Sequence, residues 1–274
     1  MRIRPIDGAL GAEIDGVDLA ASLDDAIVAE IRQALLDHLV VFFNDQSLSP
    51  ARLVTFARRF GDLGHYPFIR GLPDQPEVIE VLKLEHERWN FGGIWHSDTT
   101  YLTEPPLGSM LYALEVPAVG GDTLFANTHL AYDALSEGMK RMLADLKGIS
   151  SSAKADVTRT REDRIASNPA TQARSVFEAA HPVVRTHPES GRKGLYVNIG
   201  HTTRLDGTTE AESAPLLDFL FQHQVRPEFT CRFCWRQGSL AFWDNRSALH
   251  NPINDYHGNR RRMHRVTIAG DRPR

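Results

Sequence analysis

Cysteine is almost missing from this chain, with Cys231 and Cys234 the only two in 274 residues. A single C-x-x-C pair cannot supply the four thiolates of a structural zinc site. Within TCRFCWRQGSLAFW the pair reads as ordinary strand residues on opposite faces rather than as a redox couple. Long apolar runs are also lacking. The longest, Leu39-Val40-Val41-Phe42-Phe43, is far short of the ~20 residues a membrane-spanning helix needs. No signal-peptide core follows Met1-Arg2-Ile3-Arg4-Pro5, so a soluble, cytoplasmic protein is expected. Nor does one sign of charge dominate: 31 Lys plus Arg stand against 35 Asp plus Glu, a net charge of -4. That balance gives neither nucleic acid nor an anionic membrane a reason to bind, and a small molecule is the expected partner.

What is present suffices for one large core, since 42% of the residues are hydrophobic, and a single domain over 1–274 is expected. Alternation in Arg2-Ile3-Arg4-Pro5-Ile6 and turn residues at Asp7-Gly8 and Asp15-Gly16 predict short strands and turns at the start. Apolar positions Ile27, Ile31, Leu35 and Leu36 predict a helix over 23–39, running into a buried strand at Val40–Phe43. Ser49-Pro50 predicts the start of a second helix that stops at Phe60-Gly61. Strands are predicted at 78–82, 95–101 and 109–113, then a helix over 128–146 ended by Gly148. The polar stretch 150–180 is expected to be a mobile lid. Further strands are predicted at 182–185 and 195–199, a helix at 211–224, and closing strands around 229–235, 239–243 and 264–268. Many short strands with helices at the start and as insertions predict a mainly β fold with helical decoration, a double-stranded β-helix or jelly roll.

On a strand, residues two apart share a face, so His96 and Asp98 of IWHSDTTY point the same way and could grip one metal ion. With twelve histidines in the chain, the tripeptide alone reads more simply as a solvated strand end. His187-Pro188-Glu189 has the same spacing, but Pro188 and Ser190-Gly191 make it a turn. A third ligand is best sought at another strand end, and the run Leu240–His250 offers His250. Two histidines and a carboxylate form the facial triad of non-haem Fe(II) oxygenases, although catalytic zinc uses the same residue types. Nearby, Arg260–Thr267 places Arg261 and Arg265 on one face about Met263, with Arg260, Arg262 and His264 on the other. A buried guanidinium requires an anion, and its fork fits a carboxylate.

The runs WHSDTTY, PPLGSMLYALEVPAVGGDTLFANTHLAYDALS, HPVVRTHPESG and FWDNRSALHNPINDYHGNRRRMHRVTI together resemble the Fe(II)- and 2-oxoglutarate-dependent taurine dioxygenase (TauD/TfdA) family, across about 1–274. That family also holds phenoxyalkanoate and alkylsulfate dioxygenases. The resemblance implies that His96, Asp98 and His250 bind iron. It implies that Arg261 and Thr123 hold the distal carboxylate of 2-oxoglutarate, and that Arg265 faces the substrate's sulfonate or carboxylate. Taurine-specific members carry a histidine where Tyr66 falls, a tyrosine near Ile69 and an asparagine where Gly92 falls. Tyr66 and Gly92-Gly93 therefore suggest a roomier pocket with an aromatic wall, suited to an aryloxyalkanoate, an alkyl sulfate or a longer sulfonate.

The implied reaction consumes O2 and 2-oxoglutarate, gives succinate and CO2, and hydroxylates a C–H bond of a small anionic substrate. Asp98 occupies the position a related halogenase would leave open for halide, which favours hydroxylation. Three alternatives stand beside this reading: taurine dioxygenase proper, a non-catalytic jelly-roll metal- or ligand-binding protein, and a hydrolytic or isomerising metalloenzyme on the same fold. Arg261 with Thr123 argues against the non-catalytic one, which has no need of a cofactor clamp. Family habit favours a homo-oligomer, either a dimer or a tetramer.

Overall fold

Every side chain of Val40–Phe43 is buried, and because neighbours on a strand go to opposite faces, this strand must be covered on both sides. The computed structural model, which describes residues 1–154 and 176–274, shows what covers it. The chain opens with β1 (Arg2–Pro5), β2 (Ala12–Asp15), α1 (Asp25–His38), β3 (Val40–Phe43), α2 (Pro50–Ala57), β4 (Leu63–Gly64) and β5 (Ile79–Lys83). It continues through β6 (Gly108–Glu115), β7 (Thr123–Asn127), α3 (Thr128–Asp133), α4 (Glu137–Leu143), β8 (Lys147–Ser151) and β9 (Glu178–Pro182). Then come β10 (Val184–Thr186), β11 (Lys193–Leu195), β12 (Thr202–Leu205), α5 (Glu210–Gln224) and a 3-10 turn at Pro227–Phe229. β13 (Thr230–Phe233), β14 (Leu240–Asp244), β15 (Ala248–Pro252) and β16 (Arg261–Ile268) complete it.

The large sheet runs β1-β2-β3-β14-β6-β16-β4, with β5 also paired to β16, and a smaller sheet β13-β7-β15 lies across it. On the outer face, Ile31 and Leu35 of α1 and Leu53 and Phe56 of α2 pack against Val41, Phe43, Met110, Phe242 and Val266. On the inner face, Val40, Phe42, Ala241, Trp243 and Met263 meet Phe125, Phe233, Cys231 and Ala248 from the small sheet. Phe42 stacks on Phe233 with ring centroids 3.9 Å apart. Each such buried ring contributes about 1.5–3 kcal/mol. Two sheets closed on a shared interior make the expected double-stranded β-helix. A third cluster, including Ala131, Val184, Leu217 and Leu220, packs α3 and α5 against β10 and β11.

Several predicted elements change. The 95–101 strand is a single backbone bridge between His96 and His250, after which Thr99 takes a left-handed φ of 43° and the chain turns. The 128–146 helix is two helices, because Ser136 adopts an extended conformation and its hydroxyl accepts from the Met139 amide to start α4. The 195–199 strand stops at Leu195, since the Asn198 carboxamide oxygen accepts from the His201 amide and forms a turn. The 229–235 strand narrows to Thr230–Phe233 after the 3-10 turn. The flanks of the expected 150–180 lid are strand, because β8 runs to Ser151 and β9 begins at Glu178. Residues 155–175 of that stretch lie outside the described residues. Ser49, by contrast, caps α2 as expected, accepting from the Arg52 amide with Pro50 in the first turn.

Candidate active site

Two paired elements bring the histidines together. The His96 amide donates to the His250 carbonyl at 3.0 Å and the His250 amide to the His96 carbonyl at 2.8 Å. Their rings lie 4.1 Å apart, centroid to centroid. One Asp98 oxygen, Oδ1, sits 3.7 Å from His96 Nε2 and 3.6 Å from His250 Nε2. Three donor atoms within 4.8 Å of one another can hold one metal ion. His96 Nδ1 is 2.7 Å from the Ile94 carbonyl, which places the ring proton there and leaves Nε2 with its lone pair for a metal. Burial lowers both imidazole pKa values, against the opposing pull of Asp98, so both rings are neutral, as metal ligands must be. Burial would raise the Asp98 carboxyl, but the Arg265 guanidinium, helped by the Ser109 hydroxyl, holds it well below the usual carboxylate range.

Asp98 is aimed by its other oxygen. Oδ2 accepts from Arg265 Nη2 and from Ser109 Oγ, each at 2.8 Å. Ser109 accepts in turn from Asn245 Nδ2 at 3.2 Å. The Asn245 Oδ1 takes the Asp98 amide at 3.3 Å and the Trp243 indole at 2.9 Å. Asn245 lies in the turn between β14 and β15, the hairpin that carries His250. Beneath that turn, fully buried Asp244 accepts from Arg246 Nη2 at 2.6 Å and from His187 Nε2 at 3.0 Å. Glu189 closes the network on Arg246 at 2.7 Å and Arg32 at 2.8 Å. His187 and Glu189 thus brace the hairpin instead of forming a second metal pair, as their turn predicted.

A second polar group faces the interior from β16. Arg261 is buried, and its Nε and Nη2 have no hydrogen-bond partner among the described residues. Thr123, Trp235, Arg261 and both histidines line one narrow cavity. An unpaired buried guanidinium is costly unless an anion completes it, so the donor set fits a carboxylate entering beside the histidines.

A larger cavity of about 280 Å³ opens on the other side of His96. Tyr66, Phe91, Tyr101, Trp89 and Arg265 are among its lining residues. The Tyr66 and Tyr101 hydroxyls are hydrogen-bonded, and the Arg265 guanidinium carbon lies 5.8 Å from the Tyr66 ring centroid. Two glycines admit the chain here. A Cβ on Gly92, at φ +73°, would stand 3.0 Å from the His96 ring, and one on Gly200 would stand 2.9 Å from the His96 Cβ.

All seven residues singled out from sequence, His96, Asp98, His250, Thr123, Arg261, Arg265 and Tyr66, therefore line these two joined cavities. His96 and Asp98 converge through a turn rather than through strand alternation. The pairing of Arg265 with Asp98 was not foreseen, and neither were Ser109, Asn245 and Trp235. Asn245 stands in the same FWDNRSALH run as His250 and bonds Trp243 within it, but the partners that link it to the metal carboxylate come from β6 and residue 98. Only the sheet pairing reveals them.

Comparison with known proteins places the chain in a family. The family model for "Taurine catabolism dioxygenase TauD, TfdA family" matches residues 2–267. An alpha-ketoglutarate-dependent sulfate ester dioxygenase of Pseudomonas putida is 35% identical over 279 residues, spanning 99% of this chain and 90% of that protein. A taurine dioxygenase structure from Burkholderia xenovorans superposes with a TM-score of 0.84 at 35% identity, covering 99% of this chain and 92% of its own. The structure of AAD-2 with Mn(II) and N-oxalylglycine gives a TM-score of 0.80 at 27% identity, covering 99% and 98% of the two chains. The chain belongs to the TauD, TfdA family and is an Fe(II)- and 2-oxoglutarate-dependent dioxygenase.

Proposed function

We propose that this dioxygenase hydroxylates a C–H bond of a small organic anion bearing a sulfate ester, sulfonate or aryloxyalkanoate group. His96, Asp98 and His250 would hold the iron, Arg261 and Thr123 the distal carboxylate of 2-oxoglutarate, and Arg265 with Tyr66 the anionic end of the substrate. The observation that carries this reading is a charge imbalance: two buried guanidinium groups, Arg261 and Arg265, line the joined cavities beside one carboxylate, Asp98. Adding a divalent iron and a doubly charged 2-oxoglutarate leaves one positive charge in a site shielded from water. A singly charged anion neutralises it.

Iron and 2-oxoglutarate together supply the oxygen chemistry, with succinate and CO2 released. The chain's residues bind, aim and shield. Arg265 spends one nitrogen on Asp98 and Ser109, while its buried Nε remains without a partner among the described residues. That divided guanidinium can register an anion and the metal carboxylate at once. The aromatic wall of Tyr66, Phe91 and Tyr101 suits an apolar tail and keeps water from the C–H bond. The proposed assembly is a homodimer or homotetramer in the cytoplasm.

The test is to incubate iron-loaded enzyme with 2-oxoglutarate, O2 and a panel of alkyl sulfates, sulfonates including taurine, and aryloxyalkanoates, reading succinate above the substrate-free background. At least one of these anions should raise succinate, and Arg265→Ala should raise its KM by roughly tenfold or more, the worth of a charged hydrogen bond. No succinate above background with any of these anions, while an uncharged analogue run beside them is turned over, would defeat the anionic reading. Selective turnover of taurine would replace the roomier-pocket reading with taurine dioxygenase proper.

A further inference from the structure

We propose that Trp235 is the positioning residue of the cofactor clamp and acts on both members at once. Its indole N–H sets the direction of the Thr123 hydroxyl proton, and its ring supports the Arg261 guanidinium. The proposal rests on the reading that Arg261 and Thr123 hold the distal carboxylate.

The indole nitrogen of tryptophan can only donate. Trp235 Nε1 lies 2.9 Å from Thr123 Oγ1, so the threonine oxygen is the acceptor in that bond. Its own proton must point elsewhere. Thr123 is 3% exposed, and no acceptor for that proton exists among the described residues. The cavity lined by Thr123, Trp235 and Arg261 is the place left for it. A freely rotating hydroxyl would offer an incoming carboxylate a lone pair as readily as a proton, and the lone pair repels it. With one lone pair occupied by the indole, the hydroxyl is biased to present its proton.

The same ring supports the cation. The Arg261 guanidinium carbon stands 5.5 Å from the Trp235 ring centroid, while its Nε and Nη2 are unpartnered. A guanidinium held on an aromatic face keeps its N–H edge available for a carboxylate. Trp235 does not depend on the ligand for its own place. It is 7% exposed and meets Phe233 edge-on, with centroids 5.0 Å apart. Phe233 in turn pairs with Thr123 in the β13–β7 register and stacks on Phe42. The clamp is therefore built on the hydrophobic core before any carboxylate arrives, which is the condition for donors to bind without reorganising.

The experiment is calorimetric titration of 2-oxoglutarate into Mn(II)-loaded enzyme, with Mn(II) affinity and melting temperature measured in parallel. The variants are Trp235→Phe, Trp235→Leu, Thr123→Val and the Trp235→Phe/Thr123→Val pair. Trp235→Phe keeps a ring and loses the N–H, and it should weaken 2-oxoglutarate binding roughly tenfold, the worth of one neutral hydrogen bond. Mn(II) affinity without 2-oxoglutarate should not change. The double variant should bind no more weakly than Thr123→Val, because the two changes break one device. Trp235→Leu should be weaker than Trp235→Phe, since it also removes the ring beneath Arg261. Unchanged binding in Trp235→Phe alongside weakened binding in Thr123→Val overturns the proposal and spares the clamp. Additive losses in the double variant, or equal binding in the Leu and Phe variants, overturn the hydrogen-bond arm and the ring arm respectively. Unchanged binding in Thr123→Val instead sinks the clamp reading on which all of this stands.

Discussion

Asp98 has its two oxygens given different tasks by its neighbours. Ser109 and Arg265 hold Oδ2, which turns Oδ1 toward the two imidazoles. Asn245 sits one step further out, bonded to Ser109, to the Asp98 amide and to Trp243. Asn245→Ala is expected to fold, as read by circular dichroism, and to bind Mn(II) about 10–100-fold more weakly by calorimetry, the usual cost of losing an outer partner of a metal ligand. At this scale the sequence was legible where a residue's chemistry is rare in a core. His96, Asp98, His250 and Arg261 stood out as charged or metal-seeking groups among apolar ones. Asn245 did not, because a carboxamide in a strand-ending turn has an ordinary local use, and the partners that tie it to Asp98 are remote in the chain.

The element that matters most is the β14–β15 hairpin. Its turn holds Asn245, its outgoing strand carries His250, and its base is the Asp244–Arg246–His187–Glu189 network. Burial opposes the charge on Asp244, yet Arg246 and His187 keep its carboxyl well below the usual range. Asp244→Ala would leave the buried Arg246 with Glu189 as its remaining carboxylate and take away the carboxylate that His187 bonds, and a loss of about 3 kcal/mol in urea unfolding is expected. Metal affinity should fall with it, because His250 leaves the same turn. Elements were read well from sequence where periodicity is strong, as in α1, or where a cap marks the start, as in α2, although α2 ends at Ala57, before the expected Phe60-Gly61. They were misread where a side chain diverts the backbone: Ser136 splits a helix, Asn198 stops a strand, and Thr99 turns the chain just past the metal pair. β7, which supplies Thr123, was not predicted at all, since TLFAN is too short to separate from the helix that follows.

For the molecule as a whole, its buried neutral histidines set the acid limit. His129 is 1% exposed, and burial lowers its pKa to about 4, although its bond to the Lys193 carbonyl pulls the other way. His201, behind His96, is lowered to about 3, again chiefly by burial. The unfolded chain protonates both near pH 6.5, so it binds more protons than the native state below that value. Stability is full above about pH 6.5 and is lost progressively as pH falls toward 4. His129→Gln should flatten the decline in urea-unfolding free energy between pH 7 and pH 5 by on the order of 2 kcal/mol. An unflattened decline would show that His129 is not among the groups responsible.

The paired amide–carbonyl bonds between His96 and His250 fix the distance between two imidazoles before any ion is present. An arriving ion does not gather its ligands, and the protein has little freedom to widen or narrow its grip to suit one ion over another. Divalent ions of similar radius that prefer nitrogen and oxygen donors meet the same jaws, so supply more than fit decides which one is resident. Mismetallation is therefore the hazard that accompanies a site organised in advance by its backbone.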